Sequence, residues 1–387
     1  FLAMPLNVAV RGASGSTYTT EFFSFTSIDP TTGVPSGLAP LGNGPYSSNN
    51  EFGQAPDPRT VAAKGLKSHY QDEMILGMQQ AIGSSWNWGA RVQYRELKSA
   101  IDDQCDNRPM IKYMEEHNIA IDPGYSYSPD CRLFNPGVDN TMLLDLPDAA
   151  GSPELVAVPY SKEDMGMYLK RKYIGLDLSL EHPFDGKWFG RIDYTISHNF
   201  GNDEGQLDSD IGQGDVSQTV LFDHRELMAY GGGNLPNDRR HVLKSYGYYQ
   251  LTPEWQFGGT LVAKTGRPKS CLGYIPPTSS EYSQFWADNL DYGRYYHFCG
   301  GQAVPRGTAG RLPFDVQLSL NVAYTPKWAD GKLKLSADVF NVLNRQVAQN
   351  VEERGELGGQ GVVADSRFRV ISYDAPRSVR LTARYDF

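Results

Sequence analysis

The last eleven residues, Arg377 to Phe387, read RSVRLTARYDF and alternate strictly. Val379, Leu381, Ala383, Tyr385 and Phe387 share one face, and Arg380, Thr382, Arg384 and Asp386 share the other. A side-chain period of two belongs to an extended strand; a helix would scatter both sets around its axis. The pattern recurs upstream, and this recurrence constrains the fold. Lys332 to Val339 sets Leu333, Leu335, Ala337 and Val339 against Lys332, Lys334, Ser336 and Asp338, and Phe314 to Tyr324 sets Phe314, Val316, Leu318, Leu320, Val322 and Tyr324 against Asp315, Gln317, Ser319 and Asn321. Trp255 to Thr265, Trp188 to His198, Tyr168 to Leu180, Trp86 to Arg95 and Tyr70 to Gln79 repeat it, and His241 to Leu251 is a weaker, Tyr-rich case. With one or two strands near Leu6 to Arg11 and Tyr18 to Thr26, the expectation is about ten strands, each with one apolar and one polar face.

Many of these segments exceed the usual strand of about 5 to 6 residues and match the ~9 to 11 that a tilted strand needs to cross a bilayer. The gaps between them also alternate. Short turns fall at Gly83 to Ser85, Pro183 to Lys187, Thr252 to Glu254 and Pro326 to Gly331; long connections fall at Ala100 to Lys162, Gly201 to Arg240, Arg267 to Gly310 and Arg345 to Pro376. A soluble sandwich rarely carries loops of that length, whereas an outer-membrane barrel has short turns at one end and long loops at the other. Trp86, Trp88, Phe184, Trp188, Phe189, Trp255, Phe257, Tyr324, Trp328, Tyr385 and Phe387 gather at or near the short-turn ends, where an interfacial aromatic girdle belongs. The predicted fold class is therefore all-β, an antiparallel transmembrane barrel with short periplasmic turns and long extracellular loops.

Composition agrees once the wall is assumed. The mean hydropathy of −0.46 reflects polar strand faces and polar loops, and no window has the ~18 consecutive apolar residues of a spanning helix. Among 387 residues, 45 are acidic and 36 basic, for a net charge of −9 without a Lys/Arg block, so a nucleic-acid partner is not expected. The first residue is Phe1, with no basic and apolar leader behind it. Either a signal peptide has been removed or the chain starts inside a longer one.

Four cysteines fall as two local pairs, Cys105 with Cys131 and Cys271 with Cys299, without CxxC or His/Cys ligand spacing. Two disulfides stapling loops are expected rather than zinc; the alternative is four reduced structural cysteines. Each bridge would contribute about 3 to 4 kcal/mol by chain entropy. No GxSxG, HExxH or phosphate-cradling Gly loop is present, so no catalytic residue, metal or cofactor is assigned. Glu115, Glu116 and His117 read as solvated loop residues, and Gly231 to Gly233 as a flexible hinge. Asn202 to Asp215, NDEGQLDSDIGQGD, carries Asp203, Glu204, Asp208, Asp210 and Asp215 and partly matches a calcium loop, but Thr219 stands where the bidentate Glu should be. A solvated acidic loop is the preferred reading. On the polar strand faces, Arg91, Arg95, Asp177, Glu181, Arg191, Asp193, Asp315, Lys334, Asp338, Arg380 and Arg384 suit a hydrated lumen or a plug surface.

The C-terminal strand, with apolar residues at every second position from Val379 to Phe387, resembles the terminal signal read by the barrel assembly machinery. SADVFNVLNR, Ser336 to Arg345, looks like the penultimate strand of TonB-dependent receptors. LPNDRRH (Leu235 to His241), QDEMILGMQQAI (Gln71 to Ile82) and RVQYRELKSAIDD (Arg91 to Asp103) resemble the Oar-like branch of that family. The resemblance runs from about Asn7 to Phe387. It implies a 22-stranded barrel around an N-terminal plug, with a TonB-interacting segment ahead of the plug.

About ten strands are less than half of such a barrel, and neither plug nor TonB box is found in this chain. Residues 1–387 are therefore expected to be the C-terminal portion of a longer receptor, with a self-contained ten-stranded barrel as the alternative. The resemblance further implies active transport across the outer membrane. Its expected partners are the TonB complex acting through the absent plug, the assembly machinery, outer-membrane lipid and an extracellular ligand such as a peptide or protein. Tyr282, Trp286, Tyr292, Tyr295, Tyr296 and Phe298, in the second Cys-stapled loop, are the candidate ligand contacts, since Tyr offers area and a hydrogen bond at small entropy cost. The rival function is a structural or adhesive surface protein whose barrel only anchors its loops.

Overall fold

The computed structural model describes residues 19–47, 57–119, 131–147, 153–214, 216–282, 292–356 and 361–387. Among the described residues nine long strands form one antiparallel sheet: β1 (Tyr70–Ile82), β2 (Trp86–Ser99), β3 (Arg171–His182), β4 (Trp188–Gly201), β5 (His241–Gln250), β6 (Trp255–Lys264), β7 (Asp315–Tyr324), β8 (Leu333–Phe340) and β9 (Ser378–Tyr385). Each pairs with its neighbour in sequence, in a meander from β1 to β9, and the short strand Gly233–Asn234 pairs beside β4. This is the connectivity of an up-and-down barrel wall. Of the two strands expected near the N-terminus, Leu6 to Arg11 lies outside the described residues. The other is Thr19–Ser24, which pairs with Ala39–Ser47 in a separate two-stranded sheet rather than joining the wall.

The turns show why the chain reverses where it does. Gly83 takes a left-handed φ of 61° between β1 and β2, which a side chain would oppose. Between β3 and β4, the Asp185 carboxylate accepts the backbone N–H groups of Lys187 and Trp188 at 2.8 and 2.9 Å. Between β5 and β6, the Thr252 hydroxyl accepts those of Glu254 and Trp255. All four short turns lie at one end of the sheet and the four long connections at the other, as expected. We call the latter L1 (residues 100–170), L2 (202–240), L3 (265–314) and L4 (341–377).

Register carries the alternation across the wall. One row runs Trp188, Tyr249, Phe257, Val322, Ala337, Leu381, and another Leu180, Ile192, Ser245, Leu261, Leu318. Met74, Leu76, Met78, Val92, Ile174, Ile192, Leu320, Val379 and Leu381 are exposed, an apolar face far too large for a water-facing surface. The opposite face is charged and paired: Arg91 reaches Asp177 at 2.8 Å, Arg191 reaches Glu181 at 2.9 Å and Asp193 at 2.8 Å, and Arg380 reaches Asp338 at 3.1 Å. These pairs are partly solvated, so each adds at most about 1 kcal/mol; their use is to keep the lumen face polar.

At the short-turn end, the His182 ring stacks on Trp188 at 3.8 Å with Trp86 against its edge, Trp255 stacks on Tyr324 at 4.5 Å, and Tyr385 meets Phe387. Phe189 is a correction to the girdle. It pairs with Tyr248 in the row that continues to Asn321, Asp338 and Arg380, so it lies on the lumen side.

The long connections are not simple loops. L1 holds the helix α1 (Arg108–Glu116) and the hairpin Asn140–Pro147 with Pro153–Tyr160. Pro109 suits the first turn of α1, Met110 and Met114 lie one turn apart on its buried face, and Asn118 accepts the left-handed φ of 55° just beyond it. Glu115, Glu116 and His117 thus end a helix, although they are solvent-facing as expected. The strand expected from Tyr168 begins only at Arg171, because Ser161 caps a single helical turn, Lys162–Met165, that ends at Gly166. Among the described residues no helix is long and apolar enough to cross a membrane.

Candidate functional site

Above the wall, the four connections pack into one canopy with its own core. Met110, Met114, Phe134, Met142, Leu144, Leu146, Val158, Tyr160, Met165 and Met167 from L1 close around Leu221, Phe222 and Met228 from L2. The hairpin supplies its share by period two, since Met142, Leu144 and Leu146 are all buried. Six of the chain's nine methionines lie in this core, where an unbranched side chain fills irregular gaps between irregular segments. A second, smaller cluster joins Leu227 of L2 to Ile275, Tyr296 and Phe298 of L3, with Tyr282, Tyr292 and Tyr295 packed against it.

Both disulfides form, Cys105 to Cys131 within L1 and Cys271 to Cys299 within L3, and no described cysteine is free. The canopy is also tied across loops by buried polar groups. Asp102 of L1 accepts the Thr219 backbone N–H at 2.8 Å and its hydroxyl at 2.6 Å; burial, with Asp103 alongside, pushes the Asp102 carboxyl well above its usual range. Arg108 of L1 grips Glu226 of L2, which also meets His224 at 3.0 Å. Burial alone would raise Glu226, but His224 and Arg108 outweigh it and hold it at about 2. The Tyr292 hydroxyl of L3 donates to Asp223 of L2 at 2.9 Å, and L3 joins L4 through Leu272 N–H to Glu353 O at 2.8 Å.

The acidic segment of L2 is not solvated. Asp203, Asp208 and Asp210 are 1%, 2% and 6% exposed, and the fully buried Arg306 of L3 approaches Asp210 at 3.7 Å. Arg306 is the cation that faces these carboxyls, so a guanidinium rather than calcium is the counter-charge expected there. Among the described residues none of them joins a group of three with ligand atoms within 4.8 Å of one another; Asp215 lies outside the described residues. Titration calorimetry with millimolar calcium should give no binding heat, and a saturable heat would overturn this. The Gly231 to Gly233 run is likewise no hinge: a Cβ on Gly233 would lie 2.0 Å from the Arg306 carbonyl oxygen, so glycine is required by close backbone approach.

Of the expected ligand contacts, Tyr296 and Phe298 are buried in the second cluster, Tyr292 and Tyr295 are partly buried beside it, and Trp286 lies outside the described residues. Tyr282 lines a cleft of about 540 Å³ at the junction of L1, L2 and L3, together with Tyr168, Arg225, Met228, Tyr230 and Glu281. Tyr168, Arg225 and Tyr230 escaped the sequence reading because their loops meet only in three dimensions. A second groove of about 590 Å³ runs along the lumen face past Arg91, Asp177, Ser179, Asp193, Thr195 and Lys244. Gly77 and Gly89 line this groove without side chains of their own. Val379, Leu381, Ala383 and Tyr385 of the C-terminal strand, with Phe387 after it, are all exposed on the apolar side.

No protein-family model matches the chain. It is 23% identical over 377 residues to the TonB-dependent transporter Oar of Myxococcus xanthus, a match covering 88% of this chain and 30% of that protein. Among solved structures, the outer membrane transporter YddB from Escherichia coli aligns over 84% of this chain and 34% of its own, at 16% identity and a TM-score of 0.48. The ferric-catecholate import receptor Fiu from Escherichia coli K12 aligns over 96% and 41%, at 11% identity and a TM-score of 0.41. The Oar-like resemblance read from the sequence stands, and the apolar face of the wall belongs in the outer membrane. The chain spans about a third of the length of the curated relative it matches.

Proposed function

We propose that this chain, which is an Oar-like outer-membrane TonB-dependent receptor chain, forms the C-terminal wall and outer canopy of an active transporter. The supporting observation is the likeness to Oar along 88% of the chain, on a sheet with one apolar and one ion-paired face. Residues 1–387 are the C-terminal portion of a larger barrel. The lumen face, with its groove beside Arg91 and Asp177, meets a plug carried elsewhere in the protein, and the TonB complex acts through that plug. The row from Val379 to Phe387 addresses the chain to the assembly machinery and then faces lipid. An external ligand, peptide or protein in character, is captured at the cleft of Tyr282, Tyr168, Tyr230 and Arg225, where aromatic area and hydrogen-bonding groups coincide.

Transport is tested in the full-length protein by deleting its TonB-interacting segment. Loss of ligand uptake with surface level unchanged is the expected result. Unchanged uptake with loss of surface attachment in a barrel deletion would favour the adhesive reading. Tyr282→Ala together with Arg225→Ala should weaken ligand capture at least tenfold without lowering surface level; unchanged capture would remove the cleft from the mechanism.

A further inference from the structure

The buried charges at the junction of L2, L3 and L4 do not balance. Asp203, Glu204, Asp208 and Asp210 of L2 and Glu353 of L4 face Arg306 and Arg267 of L3, with Arg171 at the start of β3 acting on Asp203. Glu353 is fully buried and accepts Arg267 Nη1 at 2.6 Å and the Ser270 backbone N–H at 2.9 Å. The Ser270 hydroxyl lies 3.2 Å from Asp210 Oδ2 and also accepts the Gly307 N–H, so one side chain couples the L2 carboxyls to both ends of L3. Glu204 binds the Ser209 hydroxyl and N–H. Arg306 Nε and Asp203 Oδ2, both buried, make no hydrogen bond to any described residue. Neighbouring His297 is buried beside Arg306 and stays neutral, since burial and that guanidinium both disfavour its charge. At the other flank Asp102 and Asp103 add further carboxyls. Carboxyls outnumber guanidinium groups in a place with little water, and such a set cannot ionise completely without driving its members apart.

We propose that this cluster is a proton-operated latch on the canopy: L2, L3 and L4 are held together while Asp208 and Glu353 carry protons, and part when those protons leave for solvent. The direction follows from the burial of both groups. Burial, reinforced by Asp210, raises Asp208 and Glu353 to about 8, against the partial relief given by Arg306 and Arg267. A carboxyl has a pKa near 4 in an unfolded or opened loop, so the closed canopy binds more protons than the opened one between about pH 4 and pH 8. The latch is therefore strongest in acid, weakens as pH rises through that window, and is spent above it. This behaviour belongs to the loops themselves and holds whether the barrel transports or only anchors.

The test is limited digestion of the full-length protein in detergent with proteinase K at pH 6 and pH 9, each rate normalised to an unfolded substrate at the same pH. Cuts are mapped to residues 202–214, 266–275 and 351–356. The expected result is a rise of about tenfold or more in cleavage at pH 9. Asp208→Asn with Glu353→Gln removes both titrations and should hold that rise below about twofold, with retained heat-modifiable migration confirming an intact wall. If the double variant fails to fold, Asp208→Asn alone should reduce the rise. A flat response in the unaltered protein, or a rise in the variants equal to it, would overturn the latch.

Discussion

Leu320→Arg should cost about 2–4 kcal/mol of barrel stability, while Ser319→Arg, the adjacent substitution, should change it by no more than about 0.5 kcal/mol. The two residues are consecutive in β7 and point to opposite faces. Leu320 is 45% exposed and stands in the row with Val339 and Val379. Ser319 pairs with Thr260 in the row that reaches Tyr246 and Arg191. A guanidinium at Leu320 must sit in hydrocarbon or bend toward the headgroups; at Ser319 it enters the hydrated lumen. Equilibrium unfolding in lipid vesicles measures both. Equal losses, or a larger loss at Ser319, would mean that the face assignment is inverted or that the sheet does not border lipid at all.

Phe222→Ala should destabilise the canopy by about 3–5 kcal/mol and leave the wall assembled. Phe222 is fully buried, comes from L2 and sits among L1 side chains, its ring 6.4 Å from that of Phe134 in an edge-on arrangement. Removing it opens a void where the two connections meet, and the surrounding methionines can only partly refill it. Protease susceptibility of L1 and L2 should rise while heat-modifiable migration of the barrel persists. A loss below about 1 kcal/mol would show that the canopy core is not a shared one, and simultaneous loss of the barrel would show that wall and canopy fold as a unit.

The wall was legible in the sequence because lipid on one side and water on the other force every strand to repeat the same two-residue code. Leu333, Leu335, Ala337 and Val339 announce β8 without knowledge of any neighbour, and the turn positions follow from where the code breaks. The canopy obeys no such single rule. Met142, Leu144 and Leu146 do alternate, but over a span too short to stand out among Asp, Pro and Gly residues, and α1 presents only Met110 and Met114 as a helical pair. The acidic run from Asn202 misled for a different reason. Its charges looked solvated because Arg306, which faces them, lies about a hundred residues further on. Tyr296 and Phe298 looked like ligand contacts because Tyr-rich loops usually face outward, whereas here the loop is deep enough to have an interior.

Both disulfides begin and end inside one connection, spanning 26 and 28 residues, and neither ties one connection to another. Consequently the cross-links leave the threading of the sheet untouched. Oxidation in the periplasm can precede strand pairing, follow it or run alongside it, and the same meander results, because no sulfur bond encloses a wall strand. A chain that reaches the outer membrane through an oxidising compartment is thereby spared any obligatory order between oxidation and strand pairing.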